Sequence, residues 1–239
     1  MSLKPAIAIA PLAAILLACS EPAAVAATAP THAEGDLSGN SRQLEPAASK
    51  AWASHEAFEN GMAALNQTWT LRIEPARFCD FGGGDNIIDL QELTLPSQAI
   101  PPEMPEMRVQ LAKAFTGTFE ASMPDHPARF DFSRVPDFVD PKPALGRLDA
   151  MFGEVEAICA RRDAAVGAAL SQTYGDEVSA GEGRPSSARR DARLAQLQDS
   201  DLQAIAAVAR RMKTEMEAHR EAIRKPVLDA IGAAQAAGG

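Results

Sequence analysis

Aromatic residues are scarce in this chain of 239 residues, which has one Tyr, two Trp and nine Phe, or 5% aromatics. Aromatic faces supply the stacking contacts of many sugar clefts, so their scarcity argues against a sugar-cleaving enzyme. Basic residues are outnumbered as well, because 23 Lys and Arg stand against 32 Asp and Glu, giving a net charge of −9. A chain this acidic has no general attraction for nucleic acid, and we expect no nucleic-acid partner.

Several motifs of enzymes and cofactor sites are also missing. The chain contains no G-x-S-x-G of a serine hydrolase and no Glu-x-x-His of a di-iron bundle. The run Gly82–Gly84 has Asp80 and Asp85 beside it but no adjacent Lys or Arg, so a phosphate loop is not expected. A calcium loop that includes Asn86 and Asp89 is an alternative to a simple turn with positive φ, although the spacing matches no EF-hand. We therefore expect no metal and no cofactor.

The N-terminus combines one positive charge with a short apolar run. Lys4 precedes the uncharged segment 5–18, which is the layout of a secretory signal peptide and is shorter than the about 20 residues of a membrane span. The run ends in Leu16-Leu17-Ala18-Cys19, which resembles the lipobox of bacterial lipoproteins. The resemblance implies cleavage before Cys19 and acylation of that cysteine with fatty acids such as palmitate. An ordinary signal peptide with a chance cysteine is the alternative.

The same resemblance implies an address and a division of the chain. A lipid on Cys19 would attach the protein to a membrane of the bacterial cell envelope. Ser20 stands where an inner-membrane retention signal has aspartate, which favours the outer membrane, with the protein facing the periplasm. Residues 1–18 are then the signal peptide, and residues 19–44, rich in Ala, Pro, Thr, Ser and Gly, a flexible tether. Residues 45–239 form a single helical domain.

Two cysteines remain after Cys19, and neither Cys79 nor Cys159 lies in a CxxC pair or beside a histidine. An even number of cysteines in an exported chain predicts one disulfide between them, rather than a reactive thiol or a metal ligand.

Apolar periodicity predicts an all-α fold, a helical bundle of three or four helices joined by two long irregular Pro/Gly-rich connections. Residues 68–73 also alternate like a strand, but we favour helix because no partner strand is evident. Pro226 should kink or break the last helix, and residues 175–187 should form a loop. The predicted helices run from about Pro46 to Ile73, Pro105 to Ser122, Pro143 to Tyr174 and Ser187 to Arg224.

The apolar stripes predict which side chains these helices bury. The second helix should bury Val109 or Leu111 with Phe115 and Phe119, and the fourth should bury a stripe that includes Leu202. Met104 and Met107 either fill gaps in the packing or form a soft metal site, and the first use is the commoner. Glu215 and His219 should form a salt-bridging pair on one helix. The basic excess of residues 184–225 and the acidic excess of residues 76–160 suggest packing between two halves, with a partner-binding face as the alternative.

Two irregular segments carry phenylalanines that no helical stripe explains, and they are the candidate partner-binding surface. Their residues either anchor a partner or turn inward and cover the bundle. The candidates are Phe78, Asp80, Phe81, Asp85, Phe130, Phe132 and Phe138.

These observations favour a lipid-anchored periplasmic interaction protein without a catalytic site. Within that class, an immunity or inhibitor lipoprotein that neutralises an envelope-targeting toxin is one possibility, and an assembly factor is another. The alternative is a cell-envelope hydrolase acting on peptidoglycan or lipid, since carboxylate pairs occur on several helices. A loop-lined cleft with a buried carboxylate of shifted pKa would favour the hydrolase.

Overall fold

The structure is a computed structural model, and it contains four α-helices among the residues it describes. The helices are α1 (Leu37–Ile73), α2 (Pro105–Glu120), α3 (Lys142–Ala180) and α4 (Ser187–Gly238). Two short strands, β1 (Cys79–Asp80) and β2 (Ile88–Asp89), pair in parallel. The all-α bundle predicted from the sequence is confirmed. The described residues are 37–73, 79–80, 88–90, 93–97, 99–100, 103–180 and 187–238.

Helix α1 begins nine residues before the predicted start at Pro46, so the predicted boundary of the tether at residue 44 is wrong. The compact unit runs from Asp36 to Gly239. Its first turns are fixed by long-range contacts: Asn40 is 3% exposed, accepts a hydrogen bond from the Ala128 backbone N–H, and donates one to the His126 carbonyl. Local composition could not reveal these partners, because they lie more than eighty residues away along the chain.

The second half of α1 resolves the ambiguity over residues 68–73 in favour of helix. Trp69 is 0% exposed and Ile73 is 2% exposed, whereas Leu71 is 69% exposed. A helix places residues four apart on one face and the residue between them on another, which this pattern follows. The stripe faces α3, where the Trp69 and Phe152 rings stack with centroids 4.7 Å apart.

Helices α3 and α4 pack antiparallel to each other along the core of the bundle, and both are longer than predicted. Helix α3 continues to Ala180, so residues 175–180 are helical and the predicted loop at 175–187 is wrong over that part. Leu202 is 39% exposed, which corrects its predicted place in the buried stripe of α4. The remaining members of the two predicted stripes whose side chains are described are buried or half-buried. The buried ones are Leu148, Phe152, Val155, Cys159, Val166, Ile205, Val208, Met212 and Met216.

Pro226 does not end α4, which continues to Gly238 and corrects the predicted break. Proline removes one backbone hydrogen bond and crowds the preceding turn, which disfavours a helix interior. Packing on both sides opposes that cost, because Ile223, Val227 and Ile231 are at most 2% exposed. Burying a side chain of this type stabilises the fold by about 1.5–3 kcal/mol, so three of them outweigh one proline.

Ion pairs join the helices. Arg211 of α4 binds Glu154 of α3 at 2.6 Å, in the sense suggested by the uneven charge, whereas Arg147 of α3 binds Glu215 of α4 at 2.6 Å in the opposite sense. Arg220 of α4 binds Glu59 of α1 at 2.7 Å. No helix in the described part of the chain is long and apolar enough to cross a membrane.

Candidate functional site

The predicted disulfide is confirmed and fixes the first irregular segment to α3. The sulfur atoms of Cys79 and Cys159 are bonded, their Cα atoms lie 5.8 Å apart, and both residues are 1% exposed. The bond closes a loop with a sequence separation of 80 residues. In the chain-entropy model a loop of this length stabilises the fold by about 4.5 kcal/mol. Strand β1, which starts at Cys79, is thereby held against the bundle.

Beside this end of the bundle, α1 and α3 share a cluster of charged and aromatic side chains. The indole N–H of Trp69 donates to Asp149 at 3.0 Å. The guanidinium of Arg72 binds Asp149 and Glu156 and lies over the Phe152 ring, 5.3 Å from its centroid. Hydrogen bonding to Glu156 raises the pKa of Arg72, so its charge is permanent. Both carboxylates are therefore engaged in holding the two helices together.

A second cluster lies where α1 meets α4. Glu59 is 0% exposed, and its two carboxylate oxygens accept hydrogen bonds from Arg220 at 2.7 and 2.8 Å. Arg220 also donates to the Pro96 carbonyl at 2.8 Å, which holds that loop on the bundle. Burial lowers the pKa of His55, whose Nδ1 lies 3.7 Å from Glu59 Oε1. Neutral His55 and the paired carboxylate make this a structural cluster.

A second carboxylate that is buried among the described residues is also paired. Asp201 is 5% exposed and binds Arg162, itself 3% exposed, at 3.1 Å. An unpaired buried charge would lower the stability of the fold by several kcal/mol, so a buried carboxylate needs a partner of this kind. The hydrolase alternative predicted a buried carboxylate in a loop-lined cleft, and neither Glu59 nor Asp201 lines any of the three grooves described below. That alternative stays a prediction of the sequence.

The predicted pairing of Glu215 with His219 is wrong. Glu215 binds Arg147 of α3 at 2.6 Å, and His219 is 8% exposed, with its ring 4.4 Å from the Phe58 ring. Burial lowers the pKa of His219, so the ring is neutral at neutral pH. The helical spacing of Glu215 and His219 is visible in the sequence, but the arginine that α3 brings to the same carboxylate is not.

The candidate partner-binding phenylalanines divide between core and surface. Phe130 is 9% exposed and belongs to the core, so it is not a free anchor for a partner. Phe132 is half-buried and stacks on Phe130 with centroids 5.6 Å apart. Phe138 is 51% exposed and stays a candidate. Phe78, Phe81 and Asp85 lie outside the described residues, as does the side chain of Asp80, whose backbone is part of β1.

The two predicted binding segments are attached at different levels of the bundle. The Val139 N–H donates to the Ser54 hydroxyl at 3.0 Å, near the middle of α1. Cys79 is bonded to Cys159, which lies two turns beyond Phe152, the ring that stacks on Trp69. Ser54 and Trp69 are separated by about 22 Å of helix at 1.5 Å per residue. The attachment points therefore do not form one continuous patch.

The first half of α2 is the exposed apolar feature that sequence reasoning missed. Every residue from Glu103 to Gln110 is exposed, including Met104 at 48%, Met107 at 43% and Val109 at 53%. The prediction that these methionines fill gaps in the packing is therefore wrong. Helical spacing puts Met104 and Met107 on the face that continues to Phe115, so periodicity predicts burial. They are exposed because no described element covers this turn of the helix.

The second half of α2 is packed firmly on α1. Phe115 lies against the rings of Trp52 and His55, with centroid distances of 5.7 and 4.7 Å. Arg108 forms an ion pair with Glu56 across the same interface. The exposed turn therefore belongs to a helix whose other half is fixed on α1.

Three grooves also open on the described surface. Two of them have volumes of about 590 Å³, between α1 and α2, and about 580 Å³, between residues 129–134 and the end of α4. A smaller one of about 220 Å³ lies between Leu95, Pro96 and the middle of α4. No group of three or more His, Cys, Asp or Glu residues that could hold a metal occurs among the described residues.

Comparison with known proteins adds no relative: no family model, no curated protein and no solved structure matches the chain.

Proposed function

We propose that this protein is a bacterial envelope lipoprotein whose helical domain binds another protein through the first half of α2. The observation that carries the proposal is the exposure of Met104 and Met107, which lie three residues apart on one face at the start of α2. Large apolar side chains gathered on a surface are typical of interaction sites. Methionine suits this use because its flexible thioether adapts to the shape of a partner.

The attachment of α2 to α1 supports the same proposal. Phe119 is 0% exposed and Phe115 is 9% exposed, so the second half of the helix is fixed in the core. The exposed half continues that helix and is held further by the ion pair between Arg108 and Glu56. A surface that is already ordered loses less conformational entropy on binding than a free loop does. The α2 surface is therefore a preformed recognition element.

The envelope part of the proposal rests on the lipobox-like residues Leu16-Leu17-Ala18-Cys19. A lipid on Cys19 would hold the domain near one membrane, which raises its effective concentration toward other envelope proteins. Neutralising an envelope-targeting toxin and assisting envelope assembly are both tasks of this kind. Replacing Cys19 with Ser should abolish incorporation of a labelled fatty acid, and equal labelling of variant and parent would contradict the lipid anchor.

Site-specific crosslinking tests the binding surface. A photoreactive amino acid at Met107 of the full lipidated chain should give one discrete adduct with an envelope protein. The same amino acid at Lys113, exposed on another face of the same helix, is the matched control. Replacing Met104 with Ser should reduce the adduct from position 107. No adduct from position 107, or identical adducts from both positions, would overturn the proposal.

A further inference from the structure

A groove at the end of α4 combines a largely apolar floor with a wall that carries two arginines and one aspartate. Its floor is one face of α4 from Pro226 to Ala237, and Arg129 and Arg134 of the preceding irregular segment form the opposite wall. At 1.5 Å per residue this floor is about 16 Å long, or three helical turns. We call it the arginine groove. The alanines on its floor, which leave room for larger side chains, are Ala230, Ala233, Ala234 and Ala237.

The two arginines of this groove lie outside the ion pairs of the described chain, although the charge of Arg134 acts on the nearby Asp131 carboxylate. Neither Arg129 nor Arg134 forms an ion pair there, and both are exposed. The two acids that line the groove are already engaged: Asp229 binds Lys225 at 2.6 Å, and Asp131 accepts the Ser133 N–H at 3.0 Å. The groove thus suits a segment that presents large apolar side chains together with carboxylates.

The exposed residues 103–107, which lead into α2 and form its first turn, have that composition. Glu103 and Glu106 alternate with Met104 and Met107, and all four side chains are exposed. Neither glutamate forms an ion pair in the described part of the chain. The methionines are apolar, like the alanine floor, and are large enough to fill the space that the small alanines leave. The two glutamates are opposite in charge to the two arginines.

The two surfaces are too far apart to meet within one chain. Asn40 of α1 binds the segment that leads into the groove, at His126 and Ala128. Glu56 of α1 binds Arg108, next to the exposed turn of α2. Sixteen helical residues separate Asn40 from Glu56, which is about 24 Å. Only a second molecule can bring the complementary surfaces together.

We propose that the chain self-associates head to tail, with the first turn of α2 of one copy seated in the arginine groove of a second copy. Met104 and Met107 then cover the alanine floor, while Glu103 and Glu106 pair with Arg129 and Arg134. Each copy retains one free surface of each kind, so the contact is heterologous and gives a ring or an open chain.

The size of the contact sets its strength. A stable protein interface buries about 800 Å² on each partner, and one helical turn in a groove of three turns buries less. The association is therefore weak and depends on concentration, and it strengthens when the copies share a membrane. It depends on neither the lipid nor the proposed partner, although it covers the same surface of α2, so a second copy and a partner compete.

Sedimentation velocity tests the inference on the full chain carrying Cys19→Ser, so that acyl chains cannot drive association. The average mass should rise above the 25.3 kDa of one chain as concentration increases toward the millimolar range. Arg129→Glu with Arg134→Glu should weaken association by about tenfold or more. Arg210→Glu with Lys213→Glu is the matched control, because it makes the same charge change at exposed sites of α4 outside the groove.

Mixing two variants tests the head-to-tail geometry. The groove variant keeps an intact α2 turn, and a Met104→Ser, Met107→Ser variant keeps an intact groove. Each alone should be monomeric, while their mixture should form one-to-one pairs and nothing larger. A parent chain that stays monomeric, a control that loses association equally, or a mixture that stays monomeric would overturn the inference. All these residues are exposed, and circular dichroism verifies that each variant folds.

Discussion

The Glu59–Arg220 pair allows a sharp test of what holds α4 on α1. Replacing Arg220 with Met keeps much of the side-chain volume but removes the two hydrogen bonds, at 2.7 and 2.8 Å, that Arg220 donates to the Glu59 carboxylate, which is 0% exposed. Breaking a buried pair by removing one partner costs about 3–5 kcal/mol. We expect about 3 kcal/mol, the lower end, because His55 also lies 3.7 Å from the carboxylate. That is a large part of the about 5–15 kcal/mol that stabilises a typical domain.

The matched control is Arg211→Met on the same helix. Arg211 binds both oxygens of Glu154 with similar geometry, at 3.1 and 2.6 Å, but the two side chains are 51% and 50% exposed. Solvent screens such a pair, and its loss should leave stability unchanged within error. Comparing the two Arg→Met variants therefore distinguishes the effect of burial on stability from the effect of ion pairing.

Urea unfolding followed by far-ultraviolet circular dichroism measures both variants. The free energy of unfolding should fall for Arg220→Met and stay near the parent value for Arg211→Met. Adding Glu59→Leu to Arg220→Met should recover most of the loss, because the buried charge is removed with its partner. Equal destabilisation by the two arginine variants, or no recovery in the double variant, would refute the reasoning.

Three further perturbations follow from burial, covalent linkage and protonation. Phe152→Ala should lower the free energy of unfolding by about 3–5 kcal/mol, because Phe152 is 0% exposed. Phe138 is 51% exposed, so Phe138→Ala should change the free energy of unfolding by less than about 0.5 kcal/mol in the same urea assay. Replacing Cys79 and Cys159 together with Ala should cost about 4.5 kcal/mol, measured as a lower urea midpoint, and an unchanged midpoint would contradict the closed-loop argument. Burial lowers the pKa of His219 from its usual 6.5, so the unfolded chain binds a proton that the folded chain lacks, and stability should fall as the pH drops below that value. His219→Leu should make the urea midpoint less sensitive between about pH 7 and about pH 5.5, and an identical pH profile would count against a neutral buried ring.

Local pattern was enough to predict the four helices and much of the core, although not the two short strands. The 3.6-residue repeat of Leu148, Phe152 and Val155 predicted a helix face that the structure buries. The lack of an evident partner strand favoured helix over residues 68–73, which the structure confirms. The pairing of Cys79 with Cys159 followed from counting, since no other cysteine remained after Cys19. Each of these inferences uses only information carried within a short stretch or by a residue type.

The position of long-range partners was decided by the tertiary structure. Arg220 reaches Glu59 across 161 residues, and no local pattern marks either as the other's partner. Pro226 stays helical because buried neighbours on both sides offset the free-energy cost of a proline inside a helix, and only that cost can be read from the sequence. The start of α1 at Leu37 depends on contacts that Asn40 makes with a segment far along the chain.

The candidate surface shows the same division most clearly. The sequence correctly identified residues 130–138 as an irregular segment rich in phenylalanine, but whether a ring is covered depends on which other element lies above it. Phe130 is covered and Phe138 is not, although both come from one segment. Met104 and Met107 share the apolar helix face of Phe115, yet only Phe115 has α1 beside it. Amphipathic periodicity determines which face of a helix is apolar, and only the packing of whole helices determines how far along that face the burial extends.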